Sequence, residues 1–365
     1  MKVSIGSKIV EGPWGGGNLF AINLSNYLLE RGHSVVYDLT EHDIDLILLT
    51  DPRSRSESSS TFNHIEIEKY KKFVNPNVSV VQRINECDER KNTNNINEFY
   101  LKASLVADHV VFVSSWLRNI YTDIGMDKEK TSVILAGANK EIFNLNGINT
   151  WNKKDKIKLV THHWSNHHNK GFDIYELINR MLLTSPWKDK LEFTYIGNLN
   201  ENYDLENVNL VRPLHGHKLA EELKKNHIYI TGSINEPSGN HHIEAAQCGL
   251  PILYRNSGGI PEYCGGFGLS FDNNFESVLE KIISQYNAYQ DNMKNYPFNS
   301  DKMCKDFLNL FERLILNKKK IPFDVSTRGK LLMSKNKFTN KFRISLRSTF
   351  KRLVTQILNR IKNAR

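Results

Sequence analysis

The chain has 365 residues, which is long for one hydrophobic core because domains usually contain about 100 to 200 residues. Its 39% hydrophobic and 24% charged residues are typical of a folded protein and exclude wholesale disorder. The net charge of +9 is concentrated at the C-terminus, where fifteen basic residues and one acidic residue follow residue 317.

The four cysteines are widely spaced and form no CxxC pair, which argues against a zinc cage or a disulfide framework and favours a reducing compartment. The N-terminus enters a predicted strand without the apolar stretch of a signal peptide. No run of about 20 apolar residues predicts a membrane span. We therefore expect a cytoplasmic protein.

Short apolar, β-branched runs alternate with helical patterns along the chain, which is typical of βαβ units and a parallel sheet. This pattern occurs twice. The first-half strands are predicted at Lys2–Ile5, His33–Tyr37, Asp45–Leu49, Val78–Gln82, His109–Val113 and Ser132–Leu135, with a helix at Asn18–Glu30. The second-half strands are predicted at Lys156–Thr161, Leu191–Ile196, Asn209–Arg212, Ile228–Thr231 and Pro251–Tyr254. Helices are predicted at Phe172–Leu183, Lys218–Lys225, His242–Cys248, Phe275–Tyr289 and Asp301–Leu316.

The polar stretch Asn144–Asp155 is the best candidate for a domain boundary. We predict an α/β protein with two Rossmann-like, doubly wound domains that face a cleft, at residues 1–148 and 149–316, followed by a basic helical tail at 317–365. In such sheets, ligands bind beyond the carboxyl ends of the strands, so the loops after the strands are the candidate sites.

The loop after the first strand contains three consecutive glycines and leads into a helix. The amides of Gly16 and Gly17 and the positive end of the helix dipole suit a phosphate or another polar ligand. The alternative is a flexible surface turn. The loop is neither a Walker sequence nor a GxGxxG motif.

The loop at 161–171 contains four histidines and ends in Lys170, at the start of a predicted helix. A lysine at a helix N-terminus can hold a pyrophosphate. The histidines have no convergent carboxylate or cysteine in the sequence, so we expect a solvated cleft loop and no metal.

The segment at 236–253 carries Glu236 in a loop and Glu244 eight positions later, in the first turns of a predicted helix. The amides of Ser238, Gly239 and Asn240 lie between the two carboxylates. This arrangement can bind a sugar, a diphosphate and a ribose in order. A helix-capping acidic turn would explain one glutamate but not the whole segment.

This segment, with the Gly-Gly-Ile-Pro-Glu run at 258–262, resembles the family 4 retaining glycosyltransferases of the GT-B fold, within glycosyl transferases group 1. The hallmark is a glutamate, seven residues and a second glutamate, followed by an alanine-rich helix and Gly-Leu-Pro. Residues 107–117 and 136–143 resemble two further segments of the family, although Ala136 and Asn139 depart from it. The resemblance covers roughly residues 1–316.

The resemblance implies that Glu236 lies beside the donor sugar, that Lys170 holds the pyrophosphate and that Glu244 holds the ribose hydroxyls. We predict Glu236 and Lys170 as catalytic residues. The predicted nucleotide and donor site comprises Gly16, Gly17, Ser165, Lys170, Ser238, Gly239, Asn240, His241 and Glu244. The family has an arginine where this chain has Ser165, so His163 or an arginine from elsewhere has to replace it.

The acceptor is expected on the first domain, where a charged loop follows the strand at 78–82. We predict that Arg83 and Asn85 face the cleft and bind the acceptor; a solvated loop is the alternative.

The resemblance implies retaining, metal-independent transfer of a sugar from a nucleotide-diphosphate-sugar to a glycan or lipid-linked glycan, in cell-surface polysaccharide or lipopolysaccharide synthesis. No cofactor is expected beyond the donor. The alternatives are a nucleotide-sugar epimerase or a glycan phosphorylase on the same fold, and a nonenzymatic nucleotide-sugar or glycan-binding subunit.

The tail has apolar residues at helical spacing from Leu346 to Ile361, with basic residues on its other faces. We expect this helix to attach the protein peripherally to the anionic inner face of a membrane. The alternatives are packing against the body or a partner, and a nucleic-acid patch, for which the aromatic residues are too few.

Overall fold

The structure is a computed structural model, and it describes residues 1–10, 15–53 and 60–338. Two six-stranded parallel sheets form its framework, which confirms the predicted fold class. The first sheet contains β1 (Lys2–Ile5), β2 (Ser34–Val36), β3 (Leu46–Leu49), β4 (Ser79–Ile84), β5 (His109–Phe112) and β6 (Thr131–Val133). The second contains β7 (Ile157–His163), β8 (Leu191–Gly197), β9 (Asn209–Val211), β10 (Ile228–Thr231), β11 (Ile252–Arg255) and β12 (Gly268–Phe271).

Helices flank both sheets. In the first half they are α1 (Gly16–Glu30), α2 (His64–Phe73), α3 (Asp88–Lys91), α4 (Ile96–Ala103) and α5 (Ser115–Asp123). In the second half they are α6 (Phe172–Met181), α7 (Trp187–Lys190), α8 (Gly216–Lys224), α9 (Asn240–Gln247), α10 (Ile260–Cys264), α11 (Phe275–Ser284), α12 (Tyr286–Asn292) and α13 (Ser300–Asn317).

The strand order fixes where ligands can bind. The first sheet has the order β2-β1-β3-β4-β5-β6 and the second has the order β12-β11-β10-β7-β8-β9. In the second sheet the strand order reverses between β7 and β10. The connections that follow these two strands therefore run to opposite sides and leave a crevice between them. Lys170 follows β7 and Glu236 follows β10.

Both sheets are covered by apolar cores. β3 and β4 are buried along their whole length, as expected for parallel strands with helices on both faces. One large core cluster contains residues of both halves, including Leu24 of α1, Ala246 of α9 and Phe307 of α13. The two halves therefore share apolar packing.

The last helix returns to the first half of the chain. Phe307 of α13 packs edge-to-face on Phe20 of α1, with ring centroids 5.2 Å apart. Asn299, the N-cap of α13, accepts a hydrogen bond from the Lys302 amide, at 2.9 Å. The segment that carries α13 thus crosses from the second sheet to the first.

The start of the tail lies against the first domain. The Lys318 ammonium donates to Asp108 Oδ2 at 2.8 Å, and Asn77 exchanges two hydrogen bonds with the backbone of Ile321 at 2.8 and 2.9 Å. The chain is helical at 327–338, where Arg328 lies 4.4 Å above the Phe73 ring. Residues 318–338 therefore pack against the body. The amphipathic pattern from Leu346 to Ile361 lies outside the described residues.

None of the helices in the described part of the chain combines the length and the apolarity that crossing a membrane requires.

Candidate functional site

A buried carboxylate flanked by two cations lies beside the point between β7 and β10 where the strand order of the second sheet reverses. Glu236 is 5% exposed and forms an ion pair with Lys170. The Arg90 Nε lies 3.4 Å from its Oε1 and comes from α3 in the first domain. Burial would raise the pKa of Glu236, but Arg90 and Lys170 outweigh it and hold the pKa at about 2. Glu236 is therefore ionised at neutral pH.

The loops that carry these groups approach each other closely. Gly171 follows Lys170, has φ of 92° and caps α6; a Cβ there would lie 2.3 Å from the Gly232 carbonyl carbon. A side chain would separate the loop after β7 from the loop after β10. The Glu236 backbone is held in turn by the Gly259 amide, which donates to its carbonyl at 2.9 Å.

Helix α3 of the first domain is hydrogen-bonded to these same two loops. Asn169 donates to the Arg90 carbonyl at 2.9 Å, and Asn235 donates to the Glu89 carbonyl at 3.1 Å. The charge of Glu236 raises the pKa of Arg90. Arg90 is therefore fixed by its backbone as well as by its guanidinium.

The second glutamate lies one helix turn into α9. Glu244 is buried, and its Oε2 accepts a hydrogen bond from His162 Nε2 at 2.9 Å. Its Oε1 makes no hydrogen bond with the described residues. Gly239 caps α9 without a side-chain hydrogen bond, so the first amides of this helix, which lie between Glu236 and Glu244 in sequence, have no capping side chain.

The N-termini of α1 and α9 meet across the cleft. A Cβ on Gly16 would lie 3.1 Å from the Asn240 side-chain nitrogen, whereas a Cβ on Gly17 would meet no atom within 4 Å. The first turn of α1 contains no acidic residue, and Gly15 caps it without a side-chain hydrogen bond. Two uncapped helix N-termini, one from each domain, therefore favour a negative charge at this point.

The histidines of the 161–171 loop divide into two pairs, so the prediction of a solvated loop is wrong for half of them. His167 and His168 are exposed, but His162 and His163 are the last residues of β7 and are buried. The strand runs two residues beyond its predicted end. His162 pairs with Glu244, whereas His163 packs against the buried His241 ring and pairs with the Tyr175 hydroxyl.

His163 does not replace the missing arginine. Burial lowers its pKa well below the ordinary value, and its Nε2 lies 2.6 Å from the Tyr175 hydroxyl. Ser165 is exposed and accepts a hydrogen bond from the His167 amide at 3.3 Å. Arg90 is the arginine that the structure places beside Glu236; its position in another domain left no signal in the local sequence.

Ser238, Gly239 and His241 lie within or beside the N-terminus of α9. Ser238 is buried, and a Cβ on Gly239 would lie 3.1 Å from Glu236 Cγ. His241 is buried, Thr231 Oγ1 lies 3.0 Å from its Nε2, and burial lowers its pKa well below the ordinary value. The His241 side chain is therefore uncharged at neutral pH where it lines the crevice.

The predicted acceptor residues lie at the carboxyl end of β4. Arg83 is buried with its guanidinium 4.1 Å from the centroid of the Phe20 ring, and Asn85 is half-buried. The neighbouring Glu86, which the sequence analysis did not single out, is buried among three cations. They are Lys91 at 3.1 Å, Arg90 at 3.5 Å and Arg53 at 3.6 Å.

Two of the segments that carried the family resemblance meet at the domain interface. Glu262 accepts hydrogen bonds from the Ser115 and Trp116 amides at 2.9 and 3.0 Å, so a carboxylate of the second domain caps α5 of the first. The adjacent Tyr263 donates to the Val113 carbonyl and accepts from the Ala136 amide at 3.0 Å. These contacts close the floor of the cleft.

Within residues 1–10, 15–53 and 60–338, no group of three or more histidine, cysteine, aspartate or glutamate side chains has the arrangement of a metal site.

Sequence and structure comparisons agree on the class of protein. Residues 189–296 match the family model described as "Glycosyl transferases group 1". The phosphatidylinositol N-acetylglucosaminyltransferase gpi3 subunit of Schizosaccharomyces pombe is 25% identical over 135 residues. The match covers 33% of this chain and 29% of that subunit, so it spans less than a third of the relative.

Two solved structures share the fold at low sequence identity. A glycosyltransferase from Rickettsia africae superposes with a TM-score of 0.61 at 14% identity, over 87% of this chain and 99% of the other. Anabaena HepE in complex with UDP-glucose superposes with a TM-score of 0.61 at 14% identity, over 86% of this chain and all of the other, at 100%. The two parallel sheets and these superpositions show that this chain has the GT-B fold, and residues 189–296 are similar to the glycosyl transferases group 1.

Proposed function

We propose that this protein is a retaining, metal-independent glycosyltransferase of family 4 that uses a nucleotide-diphosphate-sugar donor. The observation that carries the proposal is the crevice between Glu236 and Glu244, with Lys170 and Arg90 at one carboxylate. The uncapped N-terminus of α9 lies between the two glutamates. Relatives of this fold support the donor class, since HepE was solved with UDP-glucose.

The position of each group in the crevice supports a specific role in binding the donor. Glu244 offers Oε1 to the ribose hydroxyls, while His162 holds its Oε2. The helix N-termini beside Gly16 and Asn240 suit the diphosphate, whose charge needs donors that are already in place. Glu236 stays ionised and accepts hydrogen bonds from the donor sugar.

The chemistry requires stabilisation of the departing diphosphate. In retaining transfer by front-face attack, the bond between the sugar carbon and the phosphate oxygen breaks while the bond to the acceptor oxygen forms. The acceptor hydroxyl gives its proton to the leaving diphosphate. Lys170 and Arg90, the two cations beside Glu236, can stabilise this growing charge, which removes the need for a divalent ion or another cofactor.

The acceptor is proposed to be a glycan or a lipid-linked glycan of a cell-surface polysaccharide or lipopolysaccharide, bound by the first domain near Arg83 and Asn85. We place the protein in the cytoplasm, peripherally at the inner membrane face, on the strength of the basic residues that follow residue 317. Vesicle sedimentation of the full chain and of a chain ending at residue 338 tests this placement; equal sedimentation would remove it.

The donor site is tested by thermal shift and calorimetry with UDP, GDP, ADP, TDP and CMP, each with and without EDTA. One nucleotide is expected to stabilise the protein, by about 2.7 kcal/mol at a hundredfold excess over its Kd, and EDTA is expected to have no effect. Glu244→Ala should abolish the stabilisation. The matched control is Glu280→Ala, which removes an exposed glutamate of the same domain. Binding that disappears with EDTA, or that survives in Glu244→Ala, would contradict the proposed site.

A further inference from the structure

One buried cation at the carboxyl edge of the first sheet has no counter-charge among residues 1–10, 15–53 and 60–338. Arg83 is 6% exposed and makes no ion pair or hydrogen bond with any residue in the described part of the chain. Its guanidinium lies on the Phe20 ring, 4.1 Å from the centroid. Other buried cations of this site are paired, as Arg90 is with Glu236.

Within the part of the chain that the structure describes, the titratable groups that act on Arg83 supply no negative charge at neutral pH. Those that act on it are Tyr263 and Tyr100, and burial raises the pKa of both tyrosines, to about 12 for Tyr263. Burial lowers the pKa of Arg83 to about 10, so it remains a cation at neutral pH. A buried charge without a partner is costly, and the stacking on Phe20 compensates only part of that cost.

The location of Arg83 connects it with the cleft. β4 pairs Arg83 with Val111 of β5, near the end of both strands. Tyr263, which inserts from α10 of the second domain, bonds to the backbone just beyond β5. Phe20 lies one turn from the uncapped start of α1. Arg83 is thus enclosed by α1, the first sheet and the second domain.

Arg83 belongs to a different part of the cleft from the proposed diphosphate donors. Lys170 and Arg90 act on Glu236, whereas neither Glu236 nor Glu86 is among the groups that act on Arg83. Arg53 and Lys91 of the first domain are both paired with Glu86. An anion that reaches Arg83 would therefore find a cation that no described residue neutralises.

We propose that Arg83 binds an anionic group of the acceptor, a carboxylate or a phosphate, so that the acceptor is an acidic or phosphate-bearing glycan. This proposal rests on the proposed glycosyltransferase function and specifies the acceptor class of the same cleft. A guanidinium offers paired donors that match either group. Exclusion of water around Arg83 strengthens this contact, which makes the residue a determinant of specificity as well as of affinity.

Ligand-observed NMR titrations test the proposal at a saturating concentration of the nucleotide identified in the screen above. The probes are methyl β-glucuronide and glucose 1-phosphate, with methyl β-glucoside as the neutral counterpart. The variants are Arg83→Met and Arg83→Lys, and the control is Arg180→Met, which removes an exposed arginine on α6. The two anionic probes separate a carboxylate from a phosphate.

We expect one anionic probe to bind the wild type more tightly than the glucoside, and Arg83→Met to weaken it by about thirtyfold or more. Arg83→Lys should retain part of the preference, and Arg180→Met all of it. Nucleotide affinity should stay unchanged in every variant. Equal binding of neutral and anionic probes, or binding of neither anion to the wild type, would overturn the proposal. Loss of nucleotide affinity in Arg83→Met would also overturn it and assign Arg83 to the diphosphate.

The melting temperature without ligands separates recognition from a structural role. Because the described residues give Arg83 no counter-charge, Arg83→Met should melt at the wild-type temperature or higher. A lower melting temperature would mean that Arg83 supports the fold, and would count against the proposal. If the wild type binds no nucleotide, the same titrations are run without one; an anion preference that Arg83→Met removes would then leave the anion site standing while the transferase proposal fails.

Discussion

The ion pair between Lys170 and Glu236 gives the sharpest test of the electrostatics of the site. Lys170→Met removes the cation and keeps the length of the side chain, and Glu236→Gln removes the charge and keeps the shape. The difference between the ordinary pKa of 4.5 and the value of about 2 in the fold corresponds to about 3 kcal/mol. Because Arg90 shares this stabilisation, we expect a coupling on the order of 1 kcal/mol between Lys170 and Glu236 at pH 7.

The assay is a double-mutant cycle of urea unfolding, followed by tryptophan fluorescence between pH 2 and pH 7. The pKa of Glu236 is lower in the folded state, so its stabilisation is complete above about pH 4.5 and is lost as the pH falls toward about 2. The coupling should follow the same curve. A coupling near zero at pH 7, or one that does not change on acidification, would refute the reasoning.

Three further substitutions address the geometry around the crevice. Gly171→Ala should lower the free energy of unfolding by about 2 kcal/mol or more, because its Cβ would lie 2.3 Å from the Gly232 backbone and the residue has φ of 92°. Urea unfolding measures this change. The matched control is Gly17→Ala, where a Cβ meets no atom within 4 Å. Glu262→Ala should loosen the domain interface by removing two hydrogen bonds to α5, each worth about 1.5 to 3 kcal/mol because the acceptor is charged. Small-angle X-ray scattering should then show a larger radius of gyration. An unchanged radius would contradict the role of Glu262 in holding the two domains together. His242→Phe should flatten the acid dependence of stability: burial lowers the pKa of His242 to about 3, so the neutral form is favoured in the fold and stability falls as the pH drops below about 6.5. Wild-type and variant unfolding curves between pH 4 and pH 7 measure this slope, and parallel curves would contradict it.

The framework of the fold could be predicted from the sequence because buried parallel strands are continuous apolar runs. The eleven predicted strands match β1 to β11 to within a few residues. β12 was missed because Gly268–Phe271 is a short segment with one glycine and one serine, too polar to stand out. The helix predicted at Phe275–Tyr289 is two helices, α11 and α12, which meet at Gln285.

The candidate site could be predicted where its residues are close in sequence. Glu236, Glu244 and the N-terminus of α9 belong to one continuous segment, and the spacing brings them to one crevice. Arg90 could not be predicted, because its contact with Glu236 joins two domains. Local sequence carries no signal for such a pair.

The buried histidines show that a polar residue in the sequence is not always exposed in the fold. His162 and His163 looked like loop residues, since two polar side chains in succession are typical of a turn. In the fold they extend β7, because Glu244 accepts from His162 and the Tyr175 hydroxyl pairs with His163. Partners that are remote in sequence supplied the hydrogen bonds that permit burial.

The most direct measurement for the central claim is turnover of nucleotide-sugars in EDTA without an acceptor, with the released sugar analysed by NMR. The account predicts slow hydrolysis of one nucleotide-sugar, with the initial product keeping the anomeric configuration of the donor. Glu236→Gln and Lys170→Met should abolish this turnover, and Glu280→Gln should preserve it. A sugar released with inverted configuration would contradict the retaining mechanism. If the nucleotide binds but no donor is hydrolysed or transferred, the protein is a binding subunit and the account is wrong.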